Sequence, residues 1–293
     1  MKFGLIPVNV NVDSVEQMID IAVRAETAGF ESLWTFEHIV VPLSYDSKYP
    51  YHDSGKFAAK PETNFVDPLI ALTAVAMHTK TVRLGTGVNI VAQTNPMTLA
   101  KQAASLDFVS NGRFMLGAGI GWLREEFKVM GTPFERRGAR FDDYMEALRK
   151  VWSGDVVEHE SDFVSWHNFK SYPLPVQRPG VPIHMGGGTG KIFERIARYG
   201  DGWMIPPTGD WSVNGEAGTG LDVALESLRG ACAEIGRDPE EIELTTFWNP
   251  AAGPDSLKAL EDEGIHRVVV VLAMLGKDTA DGIAKFADTY IAG

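Results

Sequence analysis

Cysteine is almost missing from this sequence, since Cys232 is the only one among 293 residues. A single cysteine excludes a disulfide within the chain and a thiolate metal cluster, which suits a reducing cytosol. Cys232 lies in an apolar helical pattern, and this predicts an inert buried thiol. The seven histidines are scattered and show no H-x-x-x-H pair on a helix, so we expect no metal site.

Positive charge and long apolar runs are also scarce. The chain has 27 Lys and Arg against 39 Asp and Glu, a formal net charge of −12 at pH 7. This balance argues against a broad surface for nucleic acid or for an acidic membrane. No segment approaches the roughly 18 apolar residues of a membrane span, and residues 1–7 lack the apolar region of a signal peptide. The sequence therefore predicts a cytoplasmic protein that binds neither nucleic acid nor membrane.

Eight short apolar runs alternate with helical patterns along the whole chain. The predicted strands begin near Phe3, Ser32, Val82, Arg113, Pro182, Asp201, Glu241 and His266. Such alternation predicts a parallel sheet, and eight units close into an α/β fold of the (β/α)8 TIM barrel type. We expect a single domain over residues 1–293, with inserted segments at about 40–66, 154–181 and 206–220. The second of these has the alternating pattern of a small hairpin.

Glycine-rich turns follow two of the predicted strands, at residues 117–121 and 186–190. Glycine lets the backbone approach a ligand closely, and the unpaired N–H groups that begin the next helix favour a phosphate after the second turn. A tight turn that binds nothing is an equally good interpretation of one glycine run. Neither turn is a standard nucleotide motif, because Trp122 and Met185 stand where such motifs require glycine.

The barrel prediction brings these features to one place, because the site of such barrels lies at the C-terminal ends of the strands. Glu37 and His38 follow the second strand, Gly87 and Val88 end the third, and the two glycine turns follow the fourth and fifth. An imidazole titrates near neutral pH and can donate or accept a proton there. A histidine that only completes the strand end is the alternative interpretation.

At these positions the chain resembles the bacterial luciferase-like superfamily, and within it the coenzyme F420-dependent oxidoreductases of actinobacterial type. The motifs that carry the resemblance lie at residues 32–38, 84–88, 95–96, 117–122, 134–141, 182–188 and 200–203. They extend over essentially the full length and are more specific for the superfamily than for the cofactor. Glu37 departs from many relatives, which carry Asp or Ser before this histidine. The Trp that often follows a few residues later is also absent.

The resemblance implies a flavin or deazaflavin in the barrel mouth. A cis peptide at Gly87–Val88 would back its ring, and His38 would lie near its reactive edge, with Glu37 either orienting His38 or capping a loop. The candidate cofactor-binding residues are Thr86, Gly87, Val88, Gly117, Gly119, Gly121, Gly186, Gly187, Gly188 and Thr189. With F420 the reaction is hydride transfer to or from an unidentified small organic substrate.

Two alternatives keep the same barrel. One is an FMN-dependent monooxygenase that receives reduced flavin from a partner reductase, and the other is a barrel that binds flavin without catalysis. Arg136, Arg137 and Arg140 would favour the polyglutamate tail of F420 if they face the mouth. Otherwise they form a solvated face or pair with Glu135, Asp142 and Asp143.

Aromatic residues in the inserted segments indicate either an apolar or aromatic substrate or the packing of a lid. These residues are Tyr45, Tyr49, Tyr51, Trp166 and Trp211. Kinship with the superfamily also implies a homodimer.

Overall fold

The computed structural model describes residues 1–188, 190–206, 211–213 and 216–292. Of residues 211–213 and 216–219 it describes the backbone alone. The predicted contact of Thr189 with a cofactor and the side chain of Trp211 therefore lie outside the described residues.

Eight parallel strands form a closed barrel, as the alternating pattern predicts. The barrel strands are β1 (Lys2–Ile6), β2 (Ser32–Thr35), β3 (Arg83–Thr86), β5 (Phe114–Gly119), β8 (Ile183–Gly186), β9 (Gly202–Ile205), β12 (Glu243–Phe247) and β13 (Arg267–Val271). Each pairs with the next along the chain, and β13 pairs with β1 to close the ring. Strand β4 (Asn89–Ile90) extends the third unit along β5. The prediction of a TIM barrel is confirmed.

Helices surround the barrel between successive strands. They are α1 (Val15–Thr27), α2 (Pro68–His78), α3 (Pro96–Val109), α4 (Arg124–Val129), α5 (Arg137–Trp152), α6 (Ile192–Tyr199), α7 (Leu221–Glu234), α8 (Gly253–Asp262) and α9 (Thr279–Tyr290). The predicted caps are present, since Ser14, Asp67 and Asn95 accept backbone N–H groups at the starts of α1, α2 and α3. Cys232 is fully buried in α7. None of the described helices is long and apolar enough to cross a membrane.

Two antiparallel pairs lie outside the barrel. Strands β6 (Val157–Glu160) and β7 (Ser165–Phe169) form the hairpin predicted in the second inserted segment. It is attached to α5 through the buried His159, whose Nε2 lies 2.8 Å from Asp143. Strands β10 (Trp211–Val213) and β11 (Glu216–Thr219) pair in the third segment.

The middle of the barrel is filled by a cluster of buried side chains in which Trp34 is the largest, and the others are Ile6, Met115, Met204 and Val269. Trp34 is fully buried, and its indole N–H donates to Ser32 over 2.9 Å. Gly4 and Gly85 on the neighbouring strands make room for it, because a Cβ at Gly85 would lie 2.3 Å from the indole ring. The barrel interior at the level of Trp34 is therefore closely packed.

Below Trp34 the barrel base is held by a buried ionic cluster. Arg267 is fully buried and donates to Glu31 over 2.7 and 2.9 Å and to Glu243 over 2.9 and 3.0 Å. Thr245 accepts a further hydrogen bond from it. Burial lowers the pKa of the neighbouring His184 to about 4, so this imidazole is neutral. The charged groups at the barrel base therefore stabilise the scaffold and do not belong to the site at the mouth.

Candidate active site

The third barrel strand is interrupted at the mouth. It ends at Thr86, and the Gly87–Val88 peptide bond is cis, as the resemblance implied. The turn is fixed on both sides, because the Thr86 hydroxyl donates to the Gly117 carbonyl over 2.7 Å and the Gly87 N–H donates to the Thr35 carbonyl over 2.7 Å. The backbone of this turn is therefore held against the second and fourth barrel strands.

Glycines of β5 and β8 form a cradle around Val88. A Cβ at Gly119 or at Gly186 would lie only 2.6 Å from a Val88 methyl group, and one at Gly117 would lie 1.6 Å from the Thr86 carbonyl oxygen. A side chain at any of the three positions would displace the turn. The absence of side chains at these positions thus makes room for Val88 and for the Thr86 carbonyl.

The turn after β8 contains the second glycine-rich run. Gly187 has φ of +135°, a conformation that favours glycine, and its carbonyl accepts the Trp203 indole N–H over 2.7 Å. Gly188 is buried in the same turn. The Lys191 side chain does not cap the start of α6, and the first N–H groups of a helix can bind an anion.

His38 is held by a carboxylate that comes from another part of the chain. Its Nδ1 lies 3.0 Å from Glu126 Oε2, and only 6% of the imidazole side chain is exposed. The other oxygen of Glu126 accepts the N–H groups of Ile39 and Val40 over 2.6 and 3.3 Å. No group in the described part of the chain is within hydrogen-bond distance of His38 Nε2.

Glu37 is directed away from this pair. Its carboxyl accepts the Ile90 N–H over 2.8 Å, just beyond the cis turn. Burial, with the charges of Glu126 and Asp67, raises the pKa of Glu37 to about 8, so this carboxyl is largely protonated at neutral pH. Of the two roles open from the sequence, capping a loop matches the contact that Glu37 makes, and Glu126 is the residue that contacts His38.

Aromatic rings enclose His38. We call residues 40–66 the lid, and Phe57 and Phe65 of the lid lie 4.7 and 5.8 Å from the imidazole centroid. Trp122 lies at 6.0 Å on another side. Tyr49 packs on both Phe57 and Trp122, at 5.1 and 5.2 Å. Burial raises the pKa of Tyr49 to about 12, so its hydroxyl stays neutral and the enclosure carries no charge of its own.

The other predicted aromatic residues have structural contacts. Tyr45 accepts the Phe57 N–H through its hydroxyl over 2.9 Å, and Tyr51 packs edge-on against Tyr49. Both therefore contribute to the packing of the lid. Trp166 packs on Phe169 within the hairpin of β6 and β7.

The lid is also attached to α4. Glu125 accepts the N–H groups of Asp46 and Ser47 over 2.7 and 3.3 Å and the Ser47 hydroxyl over 2.7 Å. Burial raises the pKa of Glu125, but these hydrogen bonds outweigh it and the net shift is downward, which keeps the carboxylate charged. Adjacent residues of one helix thus bind two parts of the same loop.

The three arginines before and within α5 have different environments. Arg136 is exposed and pairs with Asp162, whereas Arg140 is buried and donates to the carbonyls of Ala92 and Pro133. The ion pairs predicted for this cluster with Glu135, Asp142 and Asp143 are not formed. Those carboxylates contact Arg124, Arg195 and His159 instead.

Arg137 is the arginine that reaches the mouth. Its Nε donates to the carbonyl of Gly121 over 3.1 Å, in the glycine turn after β5. Within the described residues no carboxylate lies within ion-pair distance of it. Burial and then the charges of Arg124, Arg140 and Arg195 lower the pKa of Arg137. The guanidinium therefore lies in a positive field that an anionic ligand would neutralise.

Sequence reasoning missed two residues of this site, Glu126 and Trp122. Glu126 is 88 positions from His38, and acidic residues in the first turn of a helix usually serve only the helix dipole. The available signal was the pair Glu125-Glu126 directly after a barrel strand, where the mouth lies.

In the part of the chain that the structure describes, no group of three or more metal-ligating side chains could hold a metal ion.

Comparison with known proteins identifies the family of this barrel. The model of the family described as luciferase-like monooxygenase matches residues 1–280. An uncharacterised protein of Mycobacterium tuberculosis is 31% identical over 271 residues, which cover 92% of this chain and 90% of that protein. The F420-dependent glucose-6-phosphate dehydrogenase of Amycolatopsis mediterranei is 27% identical over 84% of this chain and 68% of the enzyme.

The fold is shared with solved structures as well. The crystal structure of monooxygenase RslO1 from Streptomyces bottropensis superposes with a TM-score of 0.73 and 24% identity, and it covers 99% of both chains. Because the family model matches residues 1–280 and a relative with 31% identity covers 92% of the chain, the chain belongs to the luciferase-like monooxygenase family.

Proposed function

We propose that the protein transfers a hydride between coenzyme F420 and the carbonyl or alcohol carbon of a small organic substrate, with His38 as the proton donor or acceptor. The observation that carries this proposal is the environment of His38. Its Nε2 has no hydrogen bond from the described residues, and aromatic rings surround the imidazole, which follows the second barrel strand.

The residues of the mouth fit a deazaflavin. Val88, seated between Gly119 and Gly186, would back its ring, and the turn at 186–188 with the start of α6 would offer N–H groups to its phosphate. When bound, the deazaflavin supplies or accepts the hydride. Arg137, which donates to the Gly121 carbonyl in the turn after β5, would bind the carboxylates of the polyglutamate tail, which FMN lacks.

The protein contributes the proton and the exclusion of water. In the reductive direction a protonated His38 donates from Nε2 to the carbonyl oxygen as the hydride reaches the carbonyl carbon. In the oxidative direction a neutral His38 accepts the proton of the alcohol at the same nitrogen. Phe57, Phe65 and Trp122 limit the access of water to this nitrogen. The F420 dependence of the Amycolatopsis relative supports the choice of cofactor.

The cofactor is tested by fluorescence titration of the protein with oxidised F420 and, separately, with FMN. We expect F420 to bind at micromolar concentration or tighter, and at least about tenfold more tightly than FMN, a difference of about 1.4 kcal/mol. Preference for FMN would contradict the proposal and would indicate monooxygenation with reduced flavin from a partner reductase, as the alternative interpretation requires. Binding of neither would contradict it as well.

Arg137→Ala tests the contact with the tail, and Arg136→Ala is its matched control. Arg136 is the neighbouring residue, but its guanidinium pairs with Asp162 at the surface. We expect Arg137→Ala to weaken F420 binding about tenfold and to leave FMN binding unchanged, because one ion pair to the tail is lost. Equal effects of the two substitutions would refute the role of Arg137.

His38→Ala tests catalysis against simple binding. We expect a 10²- to 10⁴-fold lower turnover with a carbonyl substrate and reduced F420, the usual effect of losing a general acid or base. The affinity for F420 should stay within about threefold of wild type, because the cradle does not include the imidazole. Turnover that is unchanged in His38→Ala would contradict the role of His38.

A further inference from the structure

Glu126 faces both His38 and the chain that follows it. One carboxylate oxygen accepts the backbone N–H groups of Ile39 and Val40, and the other lies 3.0 Å from His38 Nδ1. The residue is fully buried at the first turn of α4. We propose that Glu126 is a positioning residue that fixes His38 in the Nδ1–H tautomer, so that Nε2 presents its lone pair to the mouth.

The tautomer follows from what each group can donate. A backbone N–H can only donate, so the oxygen that contacts Ile39 and Val40 must accept. The second oxygen of an ionised carboxylate carries no proton, so it can only accept a hydrogen bond. The proton shared between this oxygen and His38 must therefore be on Nδ1. In a neutral imidazole the other nitrogen carries the lone pair.

The neighbouring Glu37 supports the charge assigned to Glu126. Glu37 has a raised pKa, and the negative charge of Glu126 is one of the causes. When two carboxyl groups interact in a buried site, one tends to hold the proton and the other the charge. Two backbone N–H groups donate to Glu126 and only one donates to Glu37, so the charge belongs on Glu126.

The tautomer decides which chemistry His38 can perform. With Nδ1–H fixed, Nε2 can accept a proton from an alcohol and, once protonated, return it to a carbonyl oxygen. In the opposite tautomer the neutral ring has only an N–H to offer at the mouth, and it cannot act as the base. This consequence for turnover rests on the proposed function, whereas the tautomer itself does not.

Glu126→Gln changes the contact with His38 while it keeps the hydrogen bonds to the backbone of the following residues, so it tests the tautomer alone. The amide oxygen of Gln can still accept the N–H groups of Ile39 and Val40, and its NH2 group then faces His38 Nδ1. Because that group only donates, Nδ1 must become the acceptor and the proton moves to Nε2. Glu125→Gln is the matched control, since Glu125 is the adjacent residue of α4 and contacts Ser47 instead of His38.

The measurement is histidine-selective 15N labelling of the full chain and long-range 1H–15N correlation at a pH where His38 is neutral. The His38 signals are assigned by their loss in His38→Asn. We expect the Nδ1–H pattern in wild type and in Glu125→Gln, and the Nε2–H pattern in Glu126→Gln. An Nε2–H pattern in wild type overturns the proposal, and so does an unchanged pattern in a folded Glu126→Gln.

Glu126→Asp keeps the test decisive if Glu126→Gln does not fold, because it retains a carboxylate and should retain the Nδ1–H pattern. Loss of that pattern in a folded Glu126→Asp would count against the proposal. In the F420-dependent reaction we expect Glu126→Gln to lower kcat by 10²- to 10⁴-fold with F420 affinity unchanged. The NMR spectra of the apoprotein test the role of Glu126 even if the cofactor proves to be FMN. The proposal for Glu126 and the proposed function can therefore be refuted independently.

Discussion

Gly186→Ala tests whether the cradle is built as the structure indicates. The new Cβ would lie 2.6 Å from Val88 Cγ1, whereas carbon atoms in contact are normally about 3.5 to 4 Å apart. Val88 would therefore have to move by about 1 Å. It has little room to do so, because its other methyl group packs against Gly119 on the neighbouring strand. Overpacking of this kind costs about 1–3 kcal/mol, and we expect that loss in the free energy of unfolding.

A double-mutant cycle with Val88→Ala isolates the clash. Removing the Val88 methyl groups takes away the atoms that the new Cβ would meet, so Gly186→Ala should cost little in the Val88→Ala background. The expected coupling free energy is about 1–2 kcal/mol, within the range for residues in contact. Gly119→Ala should behave in the same way, because its Cβ meets the second methyl group of Val88.

The assay is equilibrium unfolding in urea followed by circular dichroism and tryptophan fluorescence. Gly230→Ala is the control for inserting a methyl group, because nothing lies within 4 Å of the new Cβ, and this residue is inside α7. It should raise the free energy of unfolding by about 0.5–1 kcal/mol through helix propensity. Strict additivity of Gly186→Ala and Val88→Ala would refute the packing described for the cradle.

Four further predictions concern groups elsewhere in the protein. Because burial raises the pKa of Glu37 from 4.5 to about 8, the folded chain keeps a proton that the unfolded chain loses. Stability should fall as the pH rises through that window, and urea titrations of Glu37→Gln should show a flatter dependence. Arg267→Met should lower the free energy of unfolding by about 3 kcal/mol, because Glu31 and Glu243 lose a fully buried partner and keep only Lys2 and Arg83 at the half-buried base. Lys285→Met at an exposed pair should leave the urea midpoint nearly unchanged. Gly117→Ala should give no soluble folded protein by circular dichroism, since its Cβ would overlap the Thr86 carbonyl.

The barrel strands could be predicted because each is a short apolar run that ends at a turn. The run near Val82 became β3, Arg83–Thr86, and the run near His266 became β13, Arg267–Val271. Their predicted starts differ from the observed ones by only a residue or two. Alternation with helices then determines the order of the strands, because a short crossover brings each strand beside the previous one.

The contacts of the site could not be predicted in the same way. The rule for barrel mouths brings His38 and the glycines to one face, but it does not tell which carboxylate contacts the imidazole. That contact depends on where α4 begins and on how the lid folds back over it. For the arginines the decisive detail was the backbone at Arg136, whose φ of 56° is left-handed and starts α5 at Arg137. A pattern of side-chain polarity carries no information about such a turn.

The two adjacent glutamates of α4 predict that the lid opens in two stages. Glu125 binds Asp46 and Ser47 near the surface, whereas Glu126 binds Ile39 and Val40 in a buried position. Hydrogen exchange should therefore be fast at the amides of Asp46 and Ser47 and slow at those of Ile39 and Val40. The outer part of the lid can then swing away to admit a substrate while the segment next to the imidazole stays closed.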